Sequence, residues 1–197
     1  MIVKAAEAEV DAGPMPGRVV LFRMTSDQFA ALPESEQYLE LLNGLVIMSP
    51  KPRPRHQKFV GRLVAVLDPW VEQRNLGEVF PEVEMRLSDN WTPAPDVSFV
   101  RTEHLDRVGE TQILGPVDLA VEVLSPSNED ADREDKFDAY ARFGVDWYWI
   151  VDLQRRILEE SERVGDSHGN RVDTPFDQPF APRLLPGLAV DLARLAR

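Results

Sequence analysis

One stretch constrains the fold of this chain more than any other: the segment 118–128, with the helix-like run that follows it to Phe143. Side chains of a strand point alternately to its two faces, and the first half of the segment alternates in this way. One face would carry Val117, Leu119, Val121 and Val123, and the other Ala120, Glu122 and Leu124. A carboxylate in the middle of such an apolar strand costs free energy unless it has a partner. The pattern therefore predicts a buried strand in which Glu122 has a specific role.

A helix is predicted to follow this strand, after a break at Ser125-Pro126. Asn128 or Asp130 can cap the N-terminus of that helix. The acidic residues that suit the positive end of its dipole are Glu129, Asp130 and Asp132. Lys136 is its only lysine, and Gly144 is placed to end it. The residues predicted to face the core are Phe137, Tyr140 and Ala141.

A second short apolar strand upstream begins with another acid. In the segment 93–100, one face would carry Asp96, Ser98 and Val100, and the other Val97 and Phe99. If the two strands are neighbours, Asp96 and Glu122 approach each other, and such carboxylates repel unless a cation lies between them. Oxygen ligands of this kind suit Mg²⁺ or Mn²⁺. The two strands therefore predict a shared site for a divalent cation.

Several motifs follow one another in a fixed order along the chain. They are the segments 37–44 (Gln-Tyr-Leu-Glu-Leu-Leu-Asn-Gly), 95–98 (Pro-Asp-Val-Ser), 122–127 (Glu-Val-Leu-Ser-Pro-Ser) and 144–152 (Gly-Val-Asp-Trp-Tyr-Trp-Ile-Val-Asp), with His56, Lys136 and Tyr140. This series resembles the Uma-two family of restriction endonucleases, in the PD-(D/E)XK nuclease superfamily. The similarity extends from residue 24 to residue 195.

The resemblance implies an α/β fold with a restriction-endonuclease-like core, in which helices pack on a central mixed β-sheet. It also implies an endonuclease that hydrolyses the phosphodiester bonds of DNA with the help of Mg²⁺ (or Mn²⁺). Double-stranded DNA is the expected substrate, and a homodimer is the expected assembly.

The resemblance also assigns roles to individual residues. The catalytic residues would be Glu40, Asp96, Glu122 and Lys136, and the metal ligands would be Asp96, Glu122 and the carbonyl of Val123. The superfamily often carries a Glu-x-Lys motif, but here Leu124 stands where that lysine would be. Within the Uma-two pattern the lysine comes from the following helix, and Lys136 matches it.

The net charge of −12 argues against simple nucleic-acid binding, because phosphates are bound by basic residues. The charge is uneven, however: the segment 51–62 holds five basic residues and no acidic one. Its basic stripe at helical spacing consists of Arg55, Lys58 and Arg62. This stripe is either a solvated helix face or a contact for the DNA backbone. His56 lies nearer the apolar face of the same helix, which favours a structural hydrogen bond over catalysis.

The remaining pattern predicts one domain at 23–197 after a loose leader at 1–22. A short helix is predicted from Thr25 or Ser26 to Leu32, and an Asn43-Gly44 hairpin joins strands at 38–42 and 45–48. The other predicted helices lie at 55–75, ended by Gly77, and at 130–143. The other predicted strands lie at 79–87, 95–100, 118–124, 147–151 and 156–163, with a turn at 166–170 and a short amphipathic helix in the tail 184–195.

Composition narrows the class of protein further. The chain has no cysteine and no run of about 18 apolar residues, so disulfides, thiolate zinc sites and a membrane-spanning helix are not expected. These features fit a cytoplasmic protein. The alternative to a nuclease is a non-catalytic, homo-oligomeric binding module on a nuclease-like fold, which the negative charge and the missing Glu-x-Lys motif would favour.

Overall fold

The computed structural model describes residues 19–33, 37–49, 51–125 and 131–197. Within these residues the strands are β1 (Val19–Arg23), β2 (Tyr38–Leu42), β3 (Leu45–Ser49), β4 (Gly77–Pro81), β5 (Met85–Arg86), β6 (Val97–Arg101), β7 (Ile113–Leu114), β8 (Leu119–Val123), β9 (Trp147–Asp152), β10 (Ile157–Val164) and β11 (Ser167–Pro175). The helices are α1 (Ser26–Ala30), α2 (Pro54–Glu72), α3 (Lys136–Phe143) and α4 (Leu192–Leu195). A 3₁₀ helix spans Thr102–Arg107, and a π-helical turn at Ala131–Asp135 runs directly into α3.

A mixed sheet with the strand order β11-β10-β9-β8-β6-β4 forms the centre of the fold. Among these described strands only β8 and β9 are parallel, and their register places Glu122 opposite Ile150. β6 runs antiparallel to β8, with Val97 opposite Val121. The predicted class, helices packed on a central mixed sheet, is confirmed.

Helices cover both faces of this sheet. On one face, Phe59 and Leu63 of α2 pack against Val121 of β8 and Trp149 of β9. On the other face, Tyr140 of α3 packs with residues of the central strands and their flanks, namely Ala120, Val145, Tyr148 and Ile150. Burial of these apolar side chains supplies the main driving force for the fold. Both surfaces of β8 are therefore buried, and Glu122 lies on the face that α3 covers.

A smaller antiparallel sheet, with the order β1-β3-β2, carries the first acid of the predicted site. Its β2–β3 hairpin turns at Asn43 and Gly44, whose φ angles of 52° and 75° are those of a type I′ turn. An isolated bridge joins Leu41 to Thr92, just before the Asp96 strand. The predicted hairpin is confirmed, and the bridge places Glu40 beside the large sheet.

The helix ends follow the sequence signals in most places. Thr25 caps α1 in a capping box with Gln28, and Pro54 occupies the first turn of α2. Gly144 ends α3 with a φ of 96°, as predicted. The proposed capping residues Asn128 and Asp130 lie outside the described residues.

Several predicted boundaries are wrong. The leader was expected to reach residue 22, but β1 already begins at Val19 and pairs with β3. The expected strand 79–87 is split into β4 and β5, because Pro81 has no N–H to donate and Glu82 has a φ of 49°. The expected turn 166–170 is shorter, since Ser167 already belongs to β11.

Gly77 has a different role from the predicted one. The helix α2 ends at Glu72, and Gly77 begins β4 instead of ending the helix. A Cβ atom at this position would overlap the carbonyl oxygen of Val100 in β6. Gly77 therefore permits the close approach of β4 to β6.

Within the described parts of the chain, no helix combines the length and the apolar character that crossing a membrane requires.

Candidate active site

The ammonium group of Lys136 lies at the centre of a buried acidic cluster. Its Nζ is 2.8 Å from Glu40 Oε1, 2.9 Å from Glu122 Oε1 and 3.3 Å from Asp132 Oδ1. Only 1% of Lys136 is exposed, and Asp132 is fully buried. A buried charge is tolerated where it is paired and hydrogen-bonded, and Lys136 meets that condition three times over.

Three separate elements bring these groups together. β2 carries Glu40, the central strand β8 carries Glu122, and the continuous π- and α-helical segment carries Asp132 and Lys136. Glu40 is fixed further because its Oε1 accepts a hydrogen bond from the backbone N–H of Ala94, at 3.2 Å. Strand alternation thus directs Glu40 and Glu122 toward the helical segment, which supplies Asp132 and the cation.

Two tyrosines, Tyr140 from α3 and Tyr148 from β9, donate hydrogen bonds to the cluster. The hydroxyl of Tyr140 donates to Glu122 Oε1 at 2.9 Å, and the hydroxyl of Tyr148 donates to the backbone carbonyl of Asp132 at 2.9 Å. The sequence pattern predicted Tyr140 to be a core residue, and it is fully buried. Its hydroxyl in addition fixes the orientation of the Glu122 carboxylate.

Asp96 lies at the end of β6 that adjoins Glu122. Its Oδ2 accepts a hydrogen bond of 2.6 Å from the backbone N–H of Val123, the residue after Glu122. The same oxygen lies 3.1 Å from Nε2 of His56 in α2. The structure therefore brings Asp96, Glu122 and the backbone of Val123 to one end of the paired strands.

The charges of the cluster depend on its burial. Burial alone would lower the pKa of Lys136, but Glu122, Glu40 and Asp132 raise it well above its ordinary value. The ammonium ion is therefore the stable form. Burial raises the pKa of Glu122 well above its ordinary range; Lys136 opposes this rise, and Asp132, Asp96 and Glu40 add to it. Burial raises the pKa of Tyr140 most, and the negative charge of Glu122 raises it further. The hydroxyl of Tyr140 therefore stays protonated and can serve as the hydrogen-bond donor to Glu122.

His56 is held at the junction of α2 and the two strands. Burial opposes protonation of His56, but the hydrogen bond to Asp96 and the charge of Asp96 outweigh it, so its pKa is raised. The residue is 7% exposed. This geometry gives the side chain a hydrogen-bonding partner, as expected from the sequence.

The donor chemistry of the site fits a hard divalent cation. Glu40, Asp96, Glu122 and Asp132 supply carboxylate oxygens, the ligands that Mg²⁺ prefers. The basic side chains that contact them include Lys136 and, at Asp96, His56. Among the described residues, however, no three acids or histidines are grouped as a ready-made set of metal ligands, and Lys136 stands between the acids.

The basic stripe of α2 divides into two parts. Arg55 and Lys58 are exposed on the helix surface. Arg62 instead donates through Nη1 to the carbonyl oxygens of Arg194, Leu195 and Arg197, at 3.1, 3.0 and 3.2 Å. These carbonyls lie at the C-terminal end of α4, where a helix leaves acceptors unpaired. Arg62 therefore has a structural role at the end of the chain, whereas Arg55 and Lys58 lie exposed to solvent.

Sequence reasoning did not assign Asp132 to the site. The sequence pattern predicts that Asp132 interacts with the helix dipole, yet its carboxylate pairs with Lys136 four residues later. The i, i+4 spacing of an acid and a lysine was the signal that could have revealed it. Tyr148 gave no comparable signal, because its contact depends on how the helix lies over the sheet.

The fold matches that of a solved structure. A crystal structure described as that of "a putative nuclease belonging to DUF820", from Anabaena variabilis ATCC 29413, superposes with a TM-score of 0.75 at 21% sequence identity. The match covers 88% of this chain and 99% of that one. Residues 26–193 match the Uma2 family, described as "Putative restriction endonuclease". The chain belongs to the Uma2 family, as its motifs predicted, and this membership supports a nuclease-like function. The chain matches none of the curated proteins.

Proposed function

We propose that this protein is a metal-dependent endonuclease that hydrolyses phosphodiester bonds of double-stranded DNA. The observation that carries the proposal is the buried contact of Lys136 with Glu40 and Glu122, next to Asp96. Replacing a whole buried group of acids and a lysine by apolar residues of similar volume is often neutral or stabilising, so stability alone does not explain why this fold contains one. Perturbed, charged groups of this kind cluster at functional sites.

Asp96, Glu122 and the carbonyl of Val123 would hold the Mg²⁺ or Mn²⁺ ion. When bound, such an ion supplies Lewis-acid polarisation of the phosphate and lowers the pKa of a water molecule. The protein's own part is to hold and orient these groups. Tyr140 and Val123 fix the carboxylates of Glu122 and Asp96 by hydrogen bonds of 2.9 and 2.6 Å.

Lys136 would have two consecutive roles. Before substrate and metal bind, its ammonium group neutralises part of the charge of Glu40 and Glu122. In the complex, the same group would neutralise phosphate charge or orient the attacking water. Glu40, which pairs with Lys136 from the small sheet, would polarise the nucleophile or bind the metal through water.

The DNA backbone would approach along the exposed residues Arg55 and Lys58 at the start of α2. His56, which lies between them in the chain, contacts Asp96, so this part of the helix adjoins the site. The surrounding negative charge of the protein weakens binding and makes it strongly salt-dependent.

Nicking of supercoiled plasmid by the purified protein tests the proposal. Cleavage is expected with Mg²⁺ or Mn²⁺, is expected to stop on addition of a chelator, and is expected to be absent in Asp96→Asn. A wild-type protein that leaves the plasmid intact with either ion would refute the proposed activity.

A second candidate is a non-catalytic, homo-oligomeric binding module on the same fold. It is favoured by the position of Lys136, which already pairs with the acids that a metal ion would need. Calorimetric titration with Mg²⁺ and Mn²⁺ separates the two functions. The nuclease binds an ion at millimolar concentration and loses it in Asp96→Asn, whereas the module binds none.

A further inference from the structure

Beside the cluster of Lys136 with Glu40, Glu122 and Asp132 (the Lys136 cluster), a second, partly buried ion pair joins the same helical segment to the same face of the sheet. Nη1 of Arg133, in the π-helical turn, donates to both carboxylate oxygens of Glu159 in β10, at 2.8 Å each. Nη2 of Arg133 lies 3.5 Å from Oδ2 of Asp152 at the end of β9. The side chain of Glu159 is only 4% exposed and that of Arg133 is 21% exposed, so this pair is partly shielded from water and from salt.

The two ion pairs lie in one row across the sheet. The strand register places Glu122 opposite Ile150, and Ile150 opposite Glu159. Neighbouring strands are about 4.8 Å apart, so the two acids are separated by roughly 10 Å. Arg133 and Lys136 are three residues apart, or about 4.5 Å along a helix axis. Two long side chains therefore diverge from one helical segment to two fixed acids on the sheet.

This arrangement fixes both the position and the rotation of the segment. The contacts of Lys136 hold one point of the segment, and the contact of Arg133 with Glu159 holds a second point, so that the two together define a line. Arg133 lies in the π-helical turn, and such turns shift the helical register and are frequent at functional sites. Glu159 thus gives the segment that carries Lys136 a second anchor on the sheet.

We propose that Arg133, acting through Glu159, is a positioning residue that holds Lys136 in the acidic cluster. A catalytic role for Lys136 rests on the proposed function. The positioning of Lys136 by Arg133 does not, because it is a property of the folded chain with or without activity. Arg133 does not contact the reacting atoms. Its loss would allow the segment to move and would let water reach the lysine.

The chain offers a matched control. Nη1 of Arg171 lies 3.2 Å from Oε2 of the same Glu159, but Arg171 belongs to β11 and not to the helical segment. Removing Arg171 takes one cation from Glu159 and leaves the connection to the helix in place. Comparing Arg133→Gln with Arg171→Gln therefore separates positioning from a general loss of charge pairing.

Acetylation of the native protein with an N-hydroxysuccinimide ester, followed by mass spectrometry, measures the exposure of Lys136. The sequence has only four lysines, and the exposed Lys58 serves as the internal reference. In Arg133→Gln the rate at Lys136 relative to Lys58 is expected to rise at least tenfold, roughly the factor for 1.4 kcal/mol of lost restraint. Arg171→Gln is expected to leave that ratio within about twofold of wild type, and Arg133→Lys, which keeps the charge, is expected to restore most of the protection.

Two results would overturn the inference: a Lys136 that stays protected in Arg133→Gln, or equal exposure in Arg171→Gln. Should Arg133→Gln fail to fold, Glu159→Gln takes its place. Acetylation of Lys136 is then expected to rise at least tenfold in Glu159→Gln, and a Lys136 that stays protected in this variant would overturn the inference. Plasmid cleavage gives a second readout, in which Arg133→Gln is expected to lower kcat without raising KM for DNA. A wild-type protein without nuclease activity would refute the proposed function, whereas the acetylation result would still decide the positioning.

Discussion

The Nζ of Lys136 lies 2.8 Å from Oε1 of Glu40, and this contact joins the helix over the large sheet to the small sheet. Glu122, on the large sheet, completes the connection at 2.9 Å. The site therefore exists only when three parts of the fold are assembled. The integrity of the site and the stability of the protein are therefore linked.

Removing the lysine should destabilise the protein strongly. Lys136→Met keeps the length of the side chain but leaves Glu40, Glu122 and Asp132 buried without their shared cation. Breaking a buried pair in this way costs roughly 3–5 kcal/mol of the free energy of unfolding at neutral pH. Urea denaturation measures it, with Lys58→Met at an exposed position as the control, and a loss no greater than in that control would contradict the role of Lys136.

Nuclease activity should require a lysine in the site, but that lysine should be able to come from position 124 as well as from position 136. Lys136→Ala is expected to reduce turnover by about 10²–10³, the scale for losing one electrostatic stabiliser, while the metal still binds. Leu124 is half-buried on the strand face of Glu122, where the superfamily more often has its lysine. Adding Leu124→Lys to Lys136→Ala is expected to restore part of the rate. A folded double mutant no more active than Lys136→Ala would show that the two positions do not serve one site.

Substitutions in the basic stripe should affect two different properties: DNA binding at Arg55 and Lys58, and stability at Arg62. Arg55→Glu with Lys58→Glu is expected to weaken DNA binding by at least about tenfold at low salt and to flatten its salt dependence. The melting temperature should stay near that of wild type, because both residues are exposed. Arg62→Glu should instead lower the melting temperature, because Arg62 holds carbonyls of α4. Unchanged DNA affinity in the first variant would make that stripe a solvated face.

Much of this architecture could be predicted from local sequence. The Asn43-Gly44 hairpin, Pro54 at the start of α2 and Gly144 at the end of α3 are each determined by the conformational preferences of a few residues. The edge strand β11 was largely missed, because its exposed, polar sequence lacks the alternation that burial imposes. The split of β4 from β5 follows from Pro81 and the left-handed Glu82.

The candidate site was predictable only in part. Strand alternation pointed to Asp96 and Glu122, and the family resemblance pointed to Glu40 and Lys136. The contacts of Asp132 and Arg133 depend on the rotation of one helix over the sheet, which no short stretch of sequence determines.

Stability should also respond to pH through His168. Its Nδ1 lies 3.0 Å from the carbonyl oxygen of Phe137, and its Nε2 lies 3.0 Å from that of Val145. Burial lowers the pKa of His168, and the charge of Arg163 lowers it further. The two carbonyls and Asp146 raise the pKa, but the net effect is a lower pKa in the folded protein. As the pH falls, His168 is therefore protonated in the unfolded chain before it is protonated in the folded protein. The stability that the neutral ring contributes is complete above about pH 7.5 and is lost as the pH decreases through roughly 6.5.

The difference between wild type and His168→Gln isolates this effect. The free energy of unfolding of wild type should fall more steeply between pH 7.5 and 5.5 than that of the variant. The extra slope cannot exceed about 1.4 kcal/mol per pH unit for one proton. Parallel curves for the two proteins would show that His168 does not titrate differently in the folded state.

The most direct test of the central claim compares Glu122→Gln with Glu110→Gln in the nicking of supercoiled plasmid with Mg²⁺ or Mn²⁺. Both variants change one glutamate to its amide, but Glu122 is buried beside Lys136, whereas Glu110 is exposed. If the Lys136 cluster is the active site, Glu122→Gln cleaves about 10²–10³ times more slowly than wild type, and Glu110→Gln cleaves at the wild-type rate. Equal rates for wild type and a folded Glu122→Gln protein would contradict the account.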